Sequence, residues 1–250
     1  MVVDLDDLNS WPHGLINSIE PLLPEINSEL QSSNAFDLSD EKWFKSSPPN
    51  PTTSAAQELI CEAMIDREIR VFHATRLIDP TTIRAEGLRS LELKSHLRMI
   101  RAGLVKILNI AEIEDMDRAI ASIDLTSNFF SVREGQVWFT PLRRNLHDGG
   151  SEVFFNNYGG EAIQRIANMA TATMVSAIRK LGMPFVVVAR IPAFGCCHFG
   201  DSRLAPTMLQ RIKETRTGHN ATSIGWDVLI RKTIPKEWIE DVLPREDHSL

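Results

Sequence analysis

The sequence predicts an α+β fold with at least four strands, on three observations. FVVVARIPA, Phe185 to Ala193, is a continuous apolar run that reads as a central strand with both faces covered. The stretch opening at about Gly160 and stopping at Gly182 carries helical periodicity. VFHATRL and QVWFTPL are short β-branched and aromatic strings among helical patterns, so strands and helices are thoroughly mixed.

Taken in order, residues 1–54 hold isolated apolar patches among Ser, Asn, Asp and Pro, and end in SSPPNPTTS, Ser46 to Ser54. Their composition is that of an acidic, partly extended arm and linker, with the folded body starting near Ala55, running to 245 and leaving 246–250 as a tail. Leu59, Ala63 and Ile69 suggest a helix from Ala55 to Ile69, followed by a strand at Val71 to His73. In DPTTIRAEGL, Asp79 can cap, Pro80 fits the first helical position and Gly87 the left-handed end, which marks a two-turn helix.

Residues Leu91 to Ile110 and Glu112 to Leu125 predict two amphipathic helices, the first with Lys94, Arg98, Arg101 and Lys106 on its polar side. Gln136 to Leu142 reads as a strand ended by Pro141, and RRNLHDGGSE after it as a loop. Arg179 and Lys180 complement the C-terminal dipole of the helix that ends at Gly182. The chain closes on a strand in WDVLIRKTIP and a turn in KEWIEDVLP.

Composition narrows the function classes. The 250 residues are 43% hydrophobic with a net charge of -6, enough to bury a substantial core. The longest apolar runs, such as Met183 to Ala189, fall far short of the roughly 18–20 residues of a membrane span. MVVDLDDLN has neither a basic n-region nor an apolar h-region, so a cytoplasmic protein is expected. Cys61, Cys196 and Cys197 lack ligand spacing, which argues against both a disulfide framework and a metal site. Cys196, Cys197 and His198 stand side by side and would point to opposite faces of a strand, a poor arrangement for a nucleophile and its base. GxGxxG, Walker A, HExxH, GxSxG and kinase signatures are all absent from the sequence.

The string VFHATRL, followed by a short marked helix and Gly87-Leu88, resembles the opening of the ADP-ribosyltransferase superfamily. VWFTPL resembles the aromatic strand of its poly(ADP-ribose) polymerase-like branch, and FVVVARIP the next core strand. WDVLIRKTIPKEWIEDV is similar to the terminal strand and Ile-Pro turn of DNA-directed ADP-ribosylating toxins and RNA 2′-phosphotransferases. The resemblance covers about residues 70–243. It implies a split mixed β-sheet core with flanking helices, and NAD as co-substrate without a metal.

On that resemblance His73 would hydrogen-bond a ribose hydroxyl of NAD while the adjacent backbone at Ala74 receives the nicotinamide amide. Thr75 and Arg76 would follow on the same loop, Arg76 offering a planar fork to a pyrophosphate oxygen. Trp138 or Phe139, followed by Thr140, would stack the nicotinamide, and strand alternation lets only one of the two aromatics face it. The family needs a carboxylate beside the oxocarbenium-like cation that forms as nicotinamide leaves. Asp227 opens the terminal strand where the pattern carries Glu, whereas Glu161 lies in YGGEAI behind two glycines at a helix start. YGGEA-like strings after HxTR and WFT segments in bacterial proteins put Glu161 first.

The implied activity is mono-ADP-ribosylation of a protein or nucleic acid by a bacterial toxin or defence effector. RNA 2′-phosphotransfer and a degenerate binding module are the alternatives. Residues 1–54 hold nine acids against Lys42 and Lys45, while the chain beyond residue 70 is at +3. The arm is therefore expected to dock on Lys94, Arg98 and Arg101 or on the stretch Arg203 to Arg216, or to bind a partner such as an antitoxin.

Overall fold

The computed structural model describes residues 1–26, 51–193, 204–217 and 227–245. The fold is α+β, a mixed sheet flanked by helices. Two units divide it, each assembled from two chain segments: Met1–Arg70 with Arg190–Trp226, and Val71–Ala189 with Asp227–Leu250.

In the first unit, β1 (Val2–Val3) pairs in parallel with the start of β2 (Glu68–Leu77), Val3 opposite Ile69. The first 26 residues are therefore packed into this unit. Val3, Leu5, Trp11, Leu15, Ile19 and Ile26 are buried, and the Trp11 indole N–H donates to the Asp4 carbonyl at 2.9 Å. Helix α1 (Leu15–Ile19) and helix α2 (Pro51–Ala63) pack together, and α2 also packs on a C-terminal helix, Leu204–Thr217. Helix α2 begins four residues before Ala55, and β2 starts inside the expected helix.

The acidic N-terminal side chains find basic partners within this unit. Asp4 pairs with Arg70 at 2.9 Å, Glu20 with Arg216, and the Leu5 carbonyl accepts from Arg211 at 3.1 Å. Arg211 also pairs with buried Glu214, and Lys213 is buried too, so the helix from Leu204 is not the solvated basic face its composition suggests.

The second unit holds α3 (Thr81–Glu86), α4 (Leu93–Leu104), α5 (Ile110–Ala121), α6 (Asn128–Ser131) and β3 (Val137–Phe139). After them come α7 (Gly149–Asn156), α8 (Gly160–Ala170), α9 (Ala172–Ile178) and β4 (Met183–Pro192). The Leu204–Thr217 helix is α10, and β5 (Val228–Ile230) and β6 (Ile239–Pro244) close the chain. Strand order in the main sheet is β1-β2-β4-β6, which gives β4 the central place its apolar faces require. Strands β3 and β5 form a separate antiparallel pair, Phe139 opposite Val228.

Three expectations change here. The long helix after Gly160 is two helices, because Thr171 takes an extended conformation and its side chain caps the Met174 N–H at 3.0 Å. RRNLHDGGSE is not all loop, since Asp148 caps α7 by accepting from Ser151 N–H at 2.8 Å. The terminal turn is followed by β6, antiparallel to β4, while β5 is only three residues long. Gly87 does end α3 at φ 85°, and its bare Cα lets the Ile234 carbonyl approach to where a Cβ would stand 2.1 Å away.

Two apolar clusters fill this unit. One gathers Ile100, Leu104, Met116, Ile163, Ile166 and Ile178 from α4, α5, α8 and α9. The other joins Phe72 and Ala74 of β2 to Val186 and Val188 of β4, with Leu146 and Phe155 beside them. Cys196, Cys197, His198 and Arg203, the Ser46–Asn50 part of the linker and the 246–250 tail lie outside the described residues.

Candidate functional site

Alternation along β2 places the site's first residue. Phe72 and Ala74 enter the core, so His73 and Thr75 point to the other face, half-buried. His73 Nδ1 lies 2.7 Å from the Trp138 carbonyl oxygen. A carbonyl can only accept, so Nδ1 carries the proton and Nε2 presents its lone pair. Burial holds this imidazole below the usual histidine range, against the opposing pull of the Trp138 carbonyl, and it is neutral at pH 7.

Two aromatic rings frame it. Phe139 stands edge-on at 5.7 Å between centroids and Phe154 at 6.1 Å. Phe139 is 2% exposed and Trp138 38%, so the buried aromatic of β3 is the one beside His73. Trp138 contributes its carbonyl to His73 and turns its indole to the opposite face. Thr140, buried, exchanges both backbone hydrogen bonds with Phe72 at 2.8 Å and so ties β3 to β2 at this point.

Phe154 reaches from His73 to the glycine turn before α8. A Cβ at Gly160 would stand 2.4 Å from Cδ1 and Cε1 of that ring, so only glycine fits beneath it. Gly159 and Gly160 both hold positive φ, 85° and 64°, a turn that other residues adopt with strain. Polar atoms flank the turn. Asn157 is 1% exposed with Oδ1 lacking a hydrogen-bond partner, and His96 Nε2 is likewise buried and unpartnered, its ring stacked on Tyr158.

Glu161 follows in the first turn of α8. Its two carboxylate oxygens accept from Arg133 Nε and Nη2, both at 3.0 Å, in a fork-to-fork pair. The Arg133 guanidinium lies 3.8 Å from the Phe129 ring centroid, Arg165 lies 4.1 Å from the same ring, and Arg133 Nη1 donates to the Phe129 carbonyl. The Glu161 side chain is 46% exposed, so the pair stays open to solvent on one side.

Arg76 is not at this cluster. Strand β2 continues to Leu77, so Thr75 and Arg76 are strand residues rather than loop. The Arg76 guanidinium donates to three backbone carbonyls: Nε to Leu181 at 2.8 Å, Nη1 to Phe155 at 2.8 Å and Nη2 to Gly182 at 2.6 Å. That fork fastens the end of α7 and the turn before β4 to β2. Asp227 is exposed and precedes Val228, the residue opposite Phe139.

The structure thus brings together His73, Phe139 and the Trp138 backbone, adds Phe154 and Gly160, and sets Glu161 next along the chain. Sequence reasoning missed Phe154 and Arg133. The Asp148-x-x-Ser151 cap was the available sign of the helix that carries Phe154. Arg133 had no such sign, since its partner lies 28 residues away.

Elsewhere, a cavity of about 120 Å³ in the first unit is lined by Leu8, Ile16, Ile212, Thr215 and Arg216, and Arg216 is paired with Glu20. Among the described residues no group of three or more His, Cys, Asp or Glu is placed to hold a metal ion, and no helix is long and apolar enough to cross a membrane. Comparison with protein-family models, curated proteins and solved structures finds no match to this chain.

Proposed function

We propose that the chain is an NAD-dependent mono-ADP-ribosyltransferase acting on a macromolecular acceptor, a toxin or defence effector of the bacterial cytoplasm. One observation carries the reading: His73, oriented through Nδ1 by the Trp138 carbonyl, stands between two aromatic rings, and one of those rings covers the glycine before Glu161.

In this tautomer His73 Nε2 accepts a hydrogen bond from a ribose hydroxyl of NAD. The backbone around Ala74 and the Phe139 edge are the nearest groups to receive the nicotinamide. As the glycosidic bond breaks, nicotinamide leaves with the bonding electrons and positive charge spreads over C1′ and the ring oxygen. The Glu161 carboxylate, first choice over Asp227, stabilises that charge from its solvent side. An acceptor hydroxyl, amine or ring nitrogen then bonds to C1′ and releases its proton. Arg133, gripping both oxygens, fixes where the carboxylate stands.

The same fork-to-fork pair favours a second reading, a degenerate binding module, because a carboxylate already matched to a guanidinium has less charge to offer the cation. RNA 2′-phosphotransfer draws less support, since its leading phosphate ligand, Arg76, spends its donors on carbonyls.

Incubation with NAD labelled on adenine, together with protein, DNA and RNA acceptors, separates the readings. Nicotinamide release with label on a polymer is expected, and digestion by nuclease or protease then names the acceptor. Release without polymer label indicates hydrolysis, and no release at all leaves the binding module.

A further inference from the structure

Four large apolar side chains stand out from the second unit where three chain segments meet. Ile78, just past β2, is 60% exposed, and Met183, opening β4, is 66% exposed. Val105 and Ile107, beyond the end of α4, are each 43% exposed. The segments touch at Gly103. A Cβ there would lie 3.1 Å from Leu181 Cδ2 and 3.9 Å from Ile78 Cδ1, so the side chains from the β2 end and the β4 turn rest on the bare face of α4. Gly182, at φ 61°, lets the Leu77 carbonyl pack against the same turn.

Three cations flank these apolar residues in the chain. Lys106 lies between the two apolar residues of the α4 end, and Arg179 and Lys180 immediately precede Leu181. All three are exposed, and none is in an ion pair among the described residues. Asp79, which follows Ile78 in the chain, adds a single carboxylate, and it is engaged locally, accepting from the Thr81 N–H and hydroxyl at 2.9 and 2.6 Å. Exposed apolar side chains gathered at one place and rimmed by polar ones are the usual make-up of an interaction site.

We propose that this surface docks an acidic amphipathic segment of a partner protein, whose apolar side chains seat on Ile78 and Met183 and whose carboxylates face Lys106, Arg179 and Lys180. Charge complementarity selects an acidic partner. The flexible Met183 side chain can adapt to a seated side chain. A lipid surface is the weaker match, because the exposed patch has no Trp or Tyr of the kind that sits at membrane interfaces. The inference is independent of the NAD reading, since none of these residues belongs to the candidate site.

The test is fluorescence anisotropy with a labelled 16-residue helical peptide bearing Leu at helical spacing on one face and Glu on the other. A peptide of equal composition with its leucines dispersed, and vesicles of phosphatidylglycerol, serve as comparisons. Full-length protein is expected to bind the amphipathic peptide at least about tenfold more tightly than the dispersed one. The Ile78→Asp/Met183→Asp variant is expected to lose at least about tenfold of that affinity, with a similar loss in Lys106→Glu/Arg179→Glu/Lys180→Glu. Thermal melts check that each variant is folded, and the charge reversals, all at exposed positions, carry the test if the apolar pair is not. Equal binding of the two peptides, no binding at about 1 mM, or affinity unchanged in the charge-reversal variant overturns the proposal. Vesicle binding without peptide binding also overturns it and reassigns the patch to a membrane surface.

Discussion

Phe154 and Gly160 are in contact so close that the aromatic ring occupies the space of a side chain: a Cβ on Gly160 would meet its Cδ1 and Cε1 at 2.4 Å. Because the same ring stands edge-on to His73, the glycine turn and the imidazole are held by one side chain. Gly160→Ala is expected to destabilise the fold by about 1–3 kcal/mol, through overlap and through its positive φ. Gly149→Ala, where no atom lies within 4 Å, is the matched control and should shift the melting temperature little. Comparing the two melts isolates the contact.

Arg76 is expected to behave as a clamp. Arg76→Lys keeps the charge but loses the planar fork that serves three carbonyls, so stability should fall by about 2–3 kcal/mol. Under conditions where the variant remains folded, calorimetry should give an NAD affinity close to that of the parent. A large affinity loss without a stability loss would return Arg76 to the pyrophosphate.

Acidification should reveal the two desolvated imidazoles. His73 and His96 are both held below the ordinary value of 6.5 by burial. The unfolded chain therefore binds more protons than the folded one as pH falls below that value, and stability drops with it. Melting temperature is expected to be flat from about pH 8 to 6.5 and to decline as pH falls below about 6.5. Glu152 and Asp241, lowered by their hydrogen bonds from Arg245 and Arg84, lose their contributions only at more acid pH. His73→Gln should make the histidine window shallower. NAD affinity should weaken through that window as well, because a protonated Nε2 can no longer accept from a hydroxyl.

On the proposed assignment, Glu161→Gln is expected to slow transfer by about 10²–10³-fold, with NAD affinity changed by no more than about twofold, since the proposed role acts on charge that exists only in the transition state. Asp227→Asn should retain most activity. The reverse result, an active Glu161→Gln and an inactive but folded Asp227→Asn, moves the role to Asp227.

Removing the cap at Thr171 should separate helix from helix. Thr171→Ala deletes the side-chain acceptor for Met174 N–H and is expected to cost about 1 kcal/mol, read from chemical denaturation.

What could be read in the chain follows from the range of the interactions involved. Strand β4 was legible because Val186, Val187 and Val188 bury both faces, a property of consecutive residues. Its neighbours were legible less fully: β2 runs ten residues although only its aromatic centre looks like a strand. The break at Thr171 was hidden by apolar periodicity that continues across it, and only the capping hydroxyl reveals it. Burial of Trp11 and Ile19 was hidden by the polar residues between them and by a parallel pairing with a strand some 65 residues on. The site divides the same way. His73 and Phe139 belong to local strings, whereas Arg133 meets Glu161 and Arg76 meets Leu181 through the tertiary fold alone.

The first unit draws on Met1–Arg70 and Arg190–Trp226, with the whole first segment of the second unit between them in the chain. On the ribosome, β1, α1 and α2 therefore emerge long before α10, against which α2 packs. At about 5–20 residues per second, the 140 residues between Ala63 and Leu204 leave the apolar face of α2 without that cover for roughly 7–28 s. Nascent chains stalled before residue 204 are accordingly where chaperone capture or proteolytic nicking of α2 should be greatest.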